Sequence, residues 1–366
     1  MKIVCTQENL KNGLQTAGRI ISSSNTLPIL NNLLIKTENG SMKIFSTNLE
    51  VAVVTQVRCK VEEEGGVTVA NKTILELVGN MPNKNITLQN QNSELKIDTD
   101  NYHTKIKTLP TEEFPLIPTV DNGESLSIDP QELKTAIEQV VFAASTNQTQ
   151  PEISGVLFSI NENKLKIVAT DRYRLAEKTI PLKTPTTTSR DIIIPQKTAH
   201  ELAKIIGNQN TAVDLVFNET QASMNSGDTL IISRLVDGQY PDYRQIIPTN
   251  FNTTAITEKQ ALINALRAAG VFSQSTNSVK LKLSPQTQQL VITTEAAELG
   301  DSVVELPAVV EGEEGEIIFN FRYVLDCLAA MPGEKVIIKT INDSSPVLVV
   351  PEKNNDYLYL VMPIKS

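Results

Sequence analysis

The sequence predicts an α+β protein built from three copies of one domain, because three kinds of segment each occur three times along the chain. The first kind is an apolar strand that ends in a polar turn: KIFSTN at 43–48, KIVATD at 166–171 and LVITTE at 290–295. Thr47, Thr170 and Thr294 hold the same place in these strands and lie at nearly equal intervals. A repeat of this length predicts whole domains, since each copy is long enough to form its own core.

The second kind of segment is an amphipathic helix between two strands. It occurs as VTVANKTILELVGNMPNKNITL from Val67, DIIIPQKTAHELAKIIGNQNTAVDL from Asp191 and EIIFNFRYVLDCLAAMPGEKVIIK from Glu316. In each copy a polar or proline-marked break precedes the helix, and a Gly/Asn turn follows it. Lys72, Lys197 and Arg322 occupy the same position in the three helices.

The third kind of segment is a helix that opens each repeat: TQENLKNGLQTAGRII, DPQELKTAIEQVVFAA and TEKQALINALRAAGVF. These helices are predicted to begin after Thr6, Asp129 and Thr257, residue types that cap helix N-termini. Apolar residues recur on one side of each helix, so each helix should pack on a sheet and leave a polar face free. We therefore predict two helices and several short strands in each of three domains, at residues 1–120, 124–250 and 254–366.

Composition excludes several classes of protein. The chain has 366 residues, 40% of them hydrophobic and 20% charged, which is typical of a globular protein. No apolar run is long enough to span a bilayer, and the first residues do not read as a signal peptide. The three cysteines, Cys5, Cys59 and Cys327, lie far apart, so we expect reduced thiols in a cytoplasmic protein.

No catalytic, metal or cofactor site is predicted. The two histidines, His103 and His200, lie in different repeats, and no HExxH, paired CxxC or GxxxxGK[ST] motif is present. Asp98 and Asp100 are expected at a solvated strand edge. The GDS at 300–302 resembles a hydrolase nucleophile turn, but no histidine follows it to serve as a base. A hydrolase that uses Ser302 is therefore kept only as an alternative.

The net charge of −9 argues against a protein that coats nucleic acid, unless its cations are concentrated on one surface. Any single lysine on a helix is most simply a solvated residue. A cation at a helix start is unfavourable to the helix dipole, however, so its occurrence in all three repeats suggests a function. If the repeats close into a ring with their helices inward, these cations would contact DNA phosphates. The predicted DNA-facing residues are Lys11, Arg19, Lys72, Lys134, Lys197, Lys204, Arg267 and Arg322.

The three-repeat plan, with ATDRYRLA at 169–176, YPDYRQIIP at 240–248 and YLVMPIKS at 359–366, resembles the bacterial DNA polymerase III β subunit (β sliding clamp) family over the whole chain. This resemblance implies a head-to-tail homodimeric ring of six similar domains around double-stranded DNA. Helices would line the hole and antiparallel sheets would form the rim. Such a ring is not an enzyme. It would tether the catalytic subunit of the replicative polymerase after an ATP-driven clamp loader has placed it on DNA.

The resemblance also implies a hydrophobic pocket between the second and third domains, where partner polymerases and repair proteins insert a QL-x-LF-type peptide. Leu175, Ile246 and Met362 would form an apolar slot, and Tyr173 and Arg174 would offer hydrogen bonds at its rim. Deleting VMPIKS should abolish peptide binding and leave the fold largely intact. The implied pocket residues are Ile153, Thr170, Arg172, Tyr173, Arg174, Leu175, Pro241, Gln245, Ile246, Asn320, Tyr323, Pro346, Val347, Val361, Met362, Pro363 and Ile364.

Some residues depart from the family pattern. Arg172 stands where many members have glycine, Tyr173 where some have histidine, and Gln245 where some have arginine. Lys365 and Ser366 replace an Arg-Leu ending, and Ser24 and Gln150 replace arginines that contact DNA, so the helix cations are the expected DNA contacts. The dimer should join the first domain of one chain to the third domain of the other, near Ile106, Val271 and Phe272. The alternative function is a repeat scaffold that binds peptides without encircling DNA.

Overall fold

The structure is a computed structural model that describes residues 1–21, 27–120, 123–147, 149–186, 189–207, 211–273, 276–296 and 300–364. Ser24, Lys365 and Ser366 lie outside the described residues.

The plan of helices and strands repeats three times, as the sequence predicts, with four strands between the two helices of the second copy and five in the other two among the described residues. The first copy contains β1 (Lys2–Thr6), α1 (Gln7–Gly18), β2 (Asn32–Glu38), β3 (Ser41–Thr47), β4 (Val51–Val57), β5 (Lys60–Glu63), β6 (Gly65–Ala70), α2 (Asn71–Gly79), β7 (Asn85–Gln91), β8 (Glu94–Asp98) and β9 (His103–Lys107). The second contains β10 (Glu124–Ile128), α3 (Pro130–Val140), β11 (Gly155–Asn161), β12 (Lys164–Thr170), β13 (Arg174–Pro181), β14 (Ser189–Pro195), α4 (Gln196–Ile206), β15 (Val213–Phe217), β16 (Gln221–Ser226) and β17 (Thr229–Arg234). The third contains β18 (Thr253–Glu258), α5 (Lys259–Gly270), β19 (Ser278–Ser284), β20 (Gln289–Ala296), β21 (Gly300–Pro307), β22 (Val309–Gly312), β23 (Gly315–Asn320), α6 (Phe321–Ala330), β24 (Lys335–Thr340), β25 (Val347–Pro351) and β26 (Tyr357–Val361). Short 3-10 turns cover Pro28–Asn31, Thr111–Glu113, Val141–Ala143 and Tyr243–Ile246.

The chain folds into two compact units. Unit 1 comprises residues 1–134 and 201–235. It contains an antiparallel eight-stranded sheet in the order β10-β15-β16-β17-β4-β3-β2-β6 and a five-stranded sheet in the order β5-β1-β7-β8-β9. Its main core lies where α1 and α2 pack on strands of both sheets, around Leu10, Leu14, Ile44 and Ile74.

Unit 2 comprises residues 135–200 and 236–366. It contains a nine-stranded antiparallel sheet in the order β14-β11-β12-β13-β26-β25-β24-β18-β22 and a four-stranded sheet in the order β21-β20-β19-β23. β13 and β26 are neighbours in the larger sheet, so strands from the second and third repeats form one continuous sheet. This shared sheet carries the candidate site described below.

Two of the three predicted helix caps are confirmed. The Thr6 side chain accepts a hydrogen bond from the Asn9 backbone, and the Asp129 carboxylate accepts two, from the backbone N–H groups of Gln131 and Glu132. The cap predicted at Thr257 is wrong. Thr257 belongs to β18, and its hydroxyl donates to the Pro307 carbonyl at 3.0 Å. Pairing of β18 with β24 continues to Glu258, so α5 begins two residues after Thr257.

The structure also revises the reading of several polar residues. The GDS at 300–302 is the start of β21, paired along β20, so it forms no nucleophile turn. His103 contacts the Asp98 carboxylate at 2.9 Å, and Asp100 accepts a hydrogen bond from Lys84 at 2.7 Å. Among the described residues no group of three or more His, Cys, Asp or Glu could hold a metal ion. No described helix is both long enough and apolar enough to cross a membrane.

Buried thiols make the stability of the fold sensitive to alkaline pH. Burial raises the pKa of the Cys5 thiol from its ordinary value to about 12, and it also raises the pKa of Cys327 and of the Tyr357 hydroxyl. A group whose pKa is higher in the folded state stabilises the protein fully below its unfolded pKa, near 9 for cysteine. This contribution is then lost as the pH rises towards the folded pKa.

We therefore expect the free energy of unfolding to fall by roughly 3 kcal/mol between pH 8 and pH 10, with Cys5 alone accounting for about 1.4 kcal/mol. Urea unfolding in the presence of a reductant measures this difference. Cys5→Ala is the control, because it lowers stability at both pH values but should flatten the dependence on pH. An equal slope in the variant and the parent would contradict the assignment to Cys5.

Candidate functional site

The hairpin between β12 and β13 ends in a turn that its own side chains hold. The Asp171 carboxylate accepts hydrogen bonds from the backbone N–H groups of Tyr173 and Arg174, both at 3.0 Å. The Thr170 hydroxyl donates to the Arg174 carbonyl at 2.7 Å. Arg172, at the tip, has a φ of +77° and an exposed side chain. This left-handed conformation is one that glycine adopts at little cost, which explains why glycine suits this position.

The same turn occurs in unit 1, at the equivalent point of the first repeat. There the Asn48 side chain accepts from the backbone of Glu50 and Val51, the Thr47 hydroxyl donates to the Val51 carbonyl, and Leu49 has a φ of +74°. The turn is therefore a property of the repeat. What distinguishes the copy at 170–174 is the set of side chains around it.

Arg174 connects this turn to residues far away in the sequence. Its guanidinium donates to Asp171 at 2.9 Å, to the Asp326 carboxylate at 2.6 Å and to the Phe142 carbonyl at 2.8 Å. It also lies 4.5 Å from the centre of the Tyr323 ring. Only 12% of the side chain is exposed. Each guanidinium nitrogen thus has one partner within unit 2, so Arg174 holds the turn, and its hydrogen bonding to a ligand at the rim stays a prediction.

The C-terminal strand runs beside this hairpin. In β26, Val361 is paired with Arg174 of β13 on one side and with Val347 of β25 on the other. The Met362 N–H then donates to the Tyr173 carbonyl at 2.8 Å, and the Ile364 N–H donates to the Ile318 carbonyl at 2.8 Å. The tail at 362–364 is thus held between the hairpin tip and β23.

The burial of Val361 corrects the deletion experiment suggested by the sequence. Val361 is fully buried in the middle of the nine-stranded sheet, so removing VMPIKS would damage the fold. Met362 and Pro363 are half-buried, and Ile364 is 38% exposed. A deletion that starts at Met362 removes the tail but leaves β26 complete.

The remaining predicted pocket residues divide into an exposed set and a supporting set. Tyr173 is 62% exposed and Ile246 is 45% exposed, so both can contact a ligand, and Pro241 and Gln245 are also exposed. Leu175 is 1% exposed and packs with Tyr240, Tyr243 and Leu360, so it supports the slot from below and does not line it openly. The other supporting residues are half-buried or buried: Ile153, Thr170, Asn320, Tyr323, Pro346 and Val347. Asn320 caps α6 by accepting from the Arg322 N–H at 3.0 Å.

Two residues that hold the candidate site in place were missed by the sequence analysis. Asp326 and Phe142 hold the Arg174 guanidinium, but neither lies near a motif in the sequence. Asp326 faces outward on α6 and reads as an ordinary solvated carboxylate. Only a search for a partner to each cation could have suggested it.

The predicted DNA-facing cations all lie on helices or at their ends. Lys72, Lys197 and Arg322 are each the second residue of a helix and are exposed, as are Arg19 and Arg267. Lys11, Lys134 and Lys204 are half-buried, and Lys204 forms an ion pair with Glu201 at 2.9 Å. Seven of the eight cations therefore have no carboxylate partner within 4.0 Å in the described part of the chain.

Close packing brings the helices together in pairs. In unit 1 a Cβ at Gly18 of α1 would lie 2.5 Å from the Asn71 side chain of α2. In unit 2 a Cβ at Gly270 of α5 would lie 2.5 Å from the Phe321 ring of α6. A side chain at Gly270 would displace the Phe321 ring, and one at Gly18 would turn the Asn71 amide aside. Each pair presents the cation at the start of its second helix beside the end of the first.

The predicted dimer residues have mixed positions. Ile106 of edge strand β9 is 8% exposed and packs in the unit 1 core, and its place at a dimer interface stays a prediction. Val271 is 69% exposed and Phe272 is half-buried, just after α5. Gln150 is half-buried in a turn, where its carbonyl accepts from the Ser154 N–H at 3.2 Å.

Three repeats of paired helices on antiparallel sheets define the class of three-domain DNA clamps, and comparison with known proteins agrees. Models of the N-terminal, central and C-terminal domains of the DNA polymerase III beta subunit match residues 1–118, 127–242 and 244–365. Together they span nearly the whole chain. The chain belongs to the DNA polymerase III beta subunit family.

Individual relatives match along their full length. The Beta sliding clamp of Synechococcus elongatus is 29% identical over 372 residues, covering 100% of this chain and 99% of the relative. The crystal structure of the DNA polymerase sliding clamp from Bacillus subtilis has a TM-score of 0.95 at 26% identity, covering 100% of this chain and 99% of that one. A sliding clamp from Pseudomonas aeruginosa bound to griselimycin has a TM-score of 0.95 at 27% identity, with 100% of both chains covered.

Proposed function

We propose that this chain is a DNA polymerase processivity factor: a non-catalytic sliding clamp that encircles double-stranded DNA and tethers the replicative polymerase to it. The observation that carries the proposal is the end-to-end match of three successive clamp-domain models to one chain. The domains are those proposed from the repeat, at 1–120, 124–250 and 254–366. The protein acts at the nucleoid in the cytoplasm, after a clamp loader has placed it on DNA.

DNA is held by topology more than by tight contacts. A closed ring cannot leave DNA without opening or reaching an end, so phosphate contacts need only be numerous and weak. The exposed helix cations Lys72, Lys197 and Arg322 suit this task. Their contacts carry no sequence information and exchange readily with counterions, so the ring slides.

Ring closure requires a second copy of the chain, joined head to tail. β9 in the first repeat and β21 in the third each form the edge of a sheet among the described strands, so each leaves one side open for pairing. β9 carries the exposed Lys105 and Lys107, and β21 carries the exposed Asp301 and Glu305. Opposite charges on the two edges favour pairing of β9 with β21 of the partner over pairing of like edges.

The slot around the tail at 362–364 takes the apolar anchors of partner peptides of the QL-x-LF type. Met362 supplies a flexible apolar contact and the exposed Ile246 a stiffer one, and the exposed Tyr173 supplies a ring and a hydroxyl. The partners are the catalytic subunit of the replicative polymerase, the clamp loader, and other polymerases and repair proteins with such a segment. They compete for one slot.

Retention of the protein on circular DNA tests whether it encircles the duplex. Protein loaded by a clamp loader onto nicked circular DNA should stay bound through gel filtration in moderate salt, and cutting the circle once should release most of it. The variant Lys72→Glu/Lys197→Glu/Arg322→Glu should load several-fold less efficiently but should still be retained on the circle. Equal loss from circular and cut DNA would contradict encirclement. A monomer in light scattering with no retention would favour the peptide-binding scaffold.

A further inference from the structure

A polar cavity lies on unit 2, apart from the predicted peptide slot. It has a volume of about 390 Å³ and is lined by the ends of β11 and β12 and by Arg244. Three of its lining residues are cationic: Lys164, Lys166 and Arg244. Glu162 is the one carboxylate among them, and Ser159, Asn161 and Asn163 add neutral hydrogen-bonding groups. Its lining therefore suits an anion.

A buried network holds the base of the cavity in place. Glu177 is 3% exposed and accepts a hydrogen bond from Lys166 at 2.7 Å and another from the Tyr243 hydroxyl at 2.6 Å. Arg244 lies over the Tyr243 ring at 5.8 Å and donates to the Ser159 hydroxyl at 3.4 Å. Lys166 is thus neutralised by Glu177, whereas Lys164 is exposed and Arg244 has its guanidinium towards the cavity.

The cavity lies on the face of the sheet that does not carry the helices. Along β26, Tyr357 and Tyr359 contact α6 through Cys327 and the Tyr323 carbonyl. Leu358 and Leu360 point the other way and pack with Tyr240, Tyr243 and Leu175. Alternation along β13 places Glu177 on the same face as Leu175. Since the proposed DNA contacts are on helices, this face suits a protein partner better than DNA.

The cavity and the predicted peptide slot share one short turn. Arg244 lines the cavity, and Gln245 and Ile246 of the same short turn belong to the slot. Along β12, Lys166 and Lys164 lie four and six residues from Thr170, about 13 and 20 Å at the usual rise per residue in a strand. An extended partner chain anchored in the slot would place side chains four to six residues away over the cavity.

We propose that the Lys164–Arg244 cavity binds an acidic segment of the partner, located about four to six residues from its apolar anchors. This inference rests on the proposed function, because it extends the same peptide site. The site then selects partners in two ways: by apolar anchors in the slot and by carboxylates in the cavity. The carboxylates raise affinity modestly and speed association, as charges at an exposed rim do.

The experiment compares three fluorescent peptides on the full-length protein by anisotropy. One peptide carries a QL-x-LF anchor alone. The second adds a four-residue Gly/Ser spacer and Asp-Glu-Asp, and the third adds the same spacer and Asn-Gln-Asn. Each extension is made at the N-terminus and, separately, at the C-terminus. In low salt the acidic peptide should bind about 3- to 10-fold tighter than the neutral one at one of the two ends, and salt should reduce this difference.

Variants that remove one charge test whether the cavity causes the tighter binding of the acidic peptide. Lys164→Gln and Arg244→Gln should each remove most of the acidic advantage and leave the affinity of the anchor peptide unchanged. Lys197→Gln makes the same charge change on a helix of unit 2 and should preserve the advantage. Equal affinities for acidic and neutral extensions, or an advantage that survives both cavity variants, overturn the proposal while anchor binding still supports the slot. Failure of the anchor peptide to bind overturns the slot and this inference together.

Discussion

Removal of residues 362–366 should weaken binding of a QL-x-LF peptide at least about 100-fold, a loss of roughly 2.7 kcal/mol, and lower the thermal midpoint by only a few degrees. Met362, Pro363 and Ile364 are partly exposed, so they can contact the ligand and contribute little to the core. Of the backbone hydrogen bonds made by the described residues 362–364, the fold loses those to Tyr173 and Ile318, each worth about 1 kcal/mol. Binding loses its central apolar contacts, which carry most of the affinity in small interfaces.

A deletion one residue longer is the matched control. Removing residues 361–366 also takes away Val361, which is fully buried and paired with strands on both sides, so this variant should unfold several degrees lower. Differential scanning calorimetry and peptide anisotropy on the two deletions distinguish the loss of peptide binding, caused by the tail, from the loss of stability, caused by damage to β26. Unchanged peptide affinity in the 362–366 deletion would mean that the slot lies elsewhere.

The second large effect is expected at Arg174. Replacing it with alanine should lower the free energy of unfolding by roughly 2–4 kcal/mol, because three hydrogen bonds are lost and Asp171 is left largely buried without its partner. Peptide affinity should fall about 10-fold as well, since the Tyr323 ring loses the guanidinium stacked on it and Asp171, which holds the Tyr173 N–H, loses its charged partner. Urea unfolding and anisotropy measure the two effects.

Arg174→Lys should recover less than half of the stability, because an ammonium group cannot reach three partners and stack on the Tyr323 ring at once. The neighbouring Arg172→Ala provides the control: that side chain is exposed, so stability should change by less than about 0.5 kcal/mol. A double-mutant cycle with Asp326→Asn tests the coupling directly. Additive effects of Arg174→Ala and Asp326→Asn would contradict the proposed link between the hairpin and α6.

Arg174 also shows where sequence reasoning about the site stops. The turn at 170–174 was visible in the sequence, because its hydrogen bonds join residues two to four positions apart. Two of the three partners of the guanidinium lie 32 and 152 positions away, at Phe142 and Asp326. No local pattern encodes such a contact, so the sequence did not show that Arg174 holds the hairpin to α6. The burial of Leu175 and Ile106 was missed for the same reason, since burial depends on what folds over a side chain.

By itself, the sequence determined the threefold plan, the six helices, the turn chemistry and the cations at the second position of three helices. Each of these follows from short-range periodicity, capping and turn preferences that act within a few residues. Only the tertiary structure decided that β13 and β26 share one sheet, that Thr257 continues a strand, and which side chains remain open to a partner. Those outcomes depend on pairing and burial between segments far apart in the chain, where a strand or helix end is set by its neighbours in space.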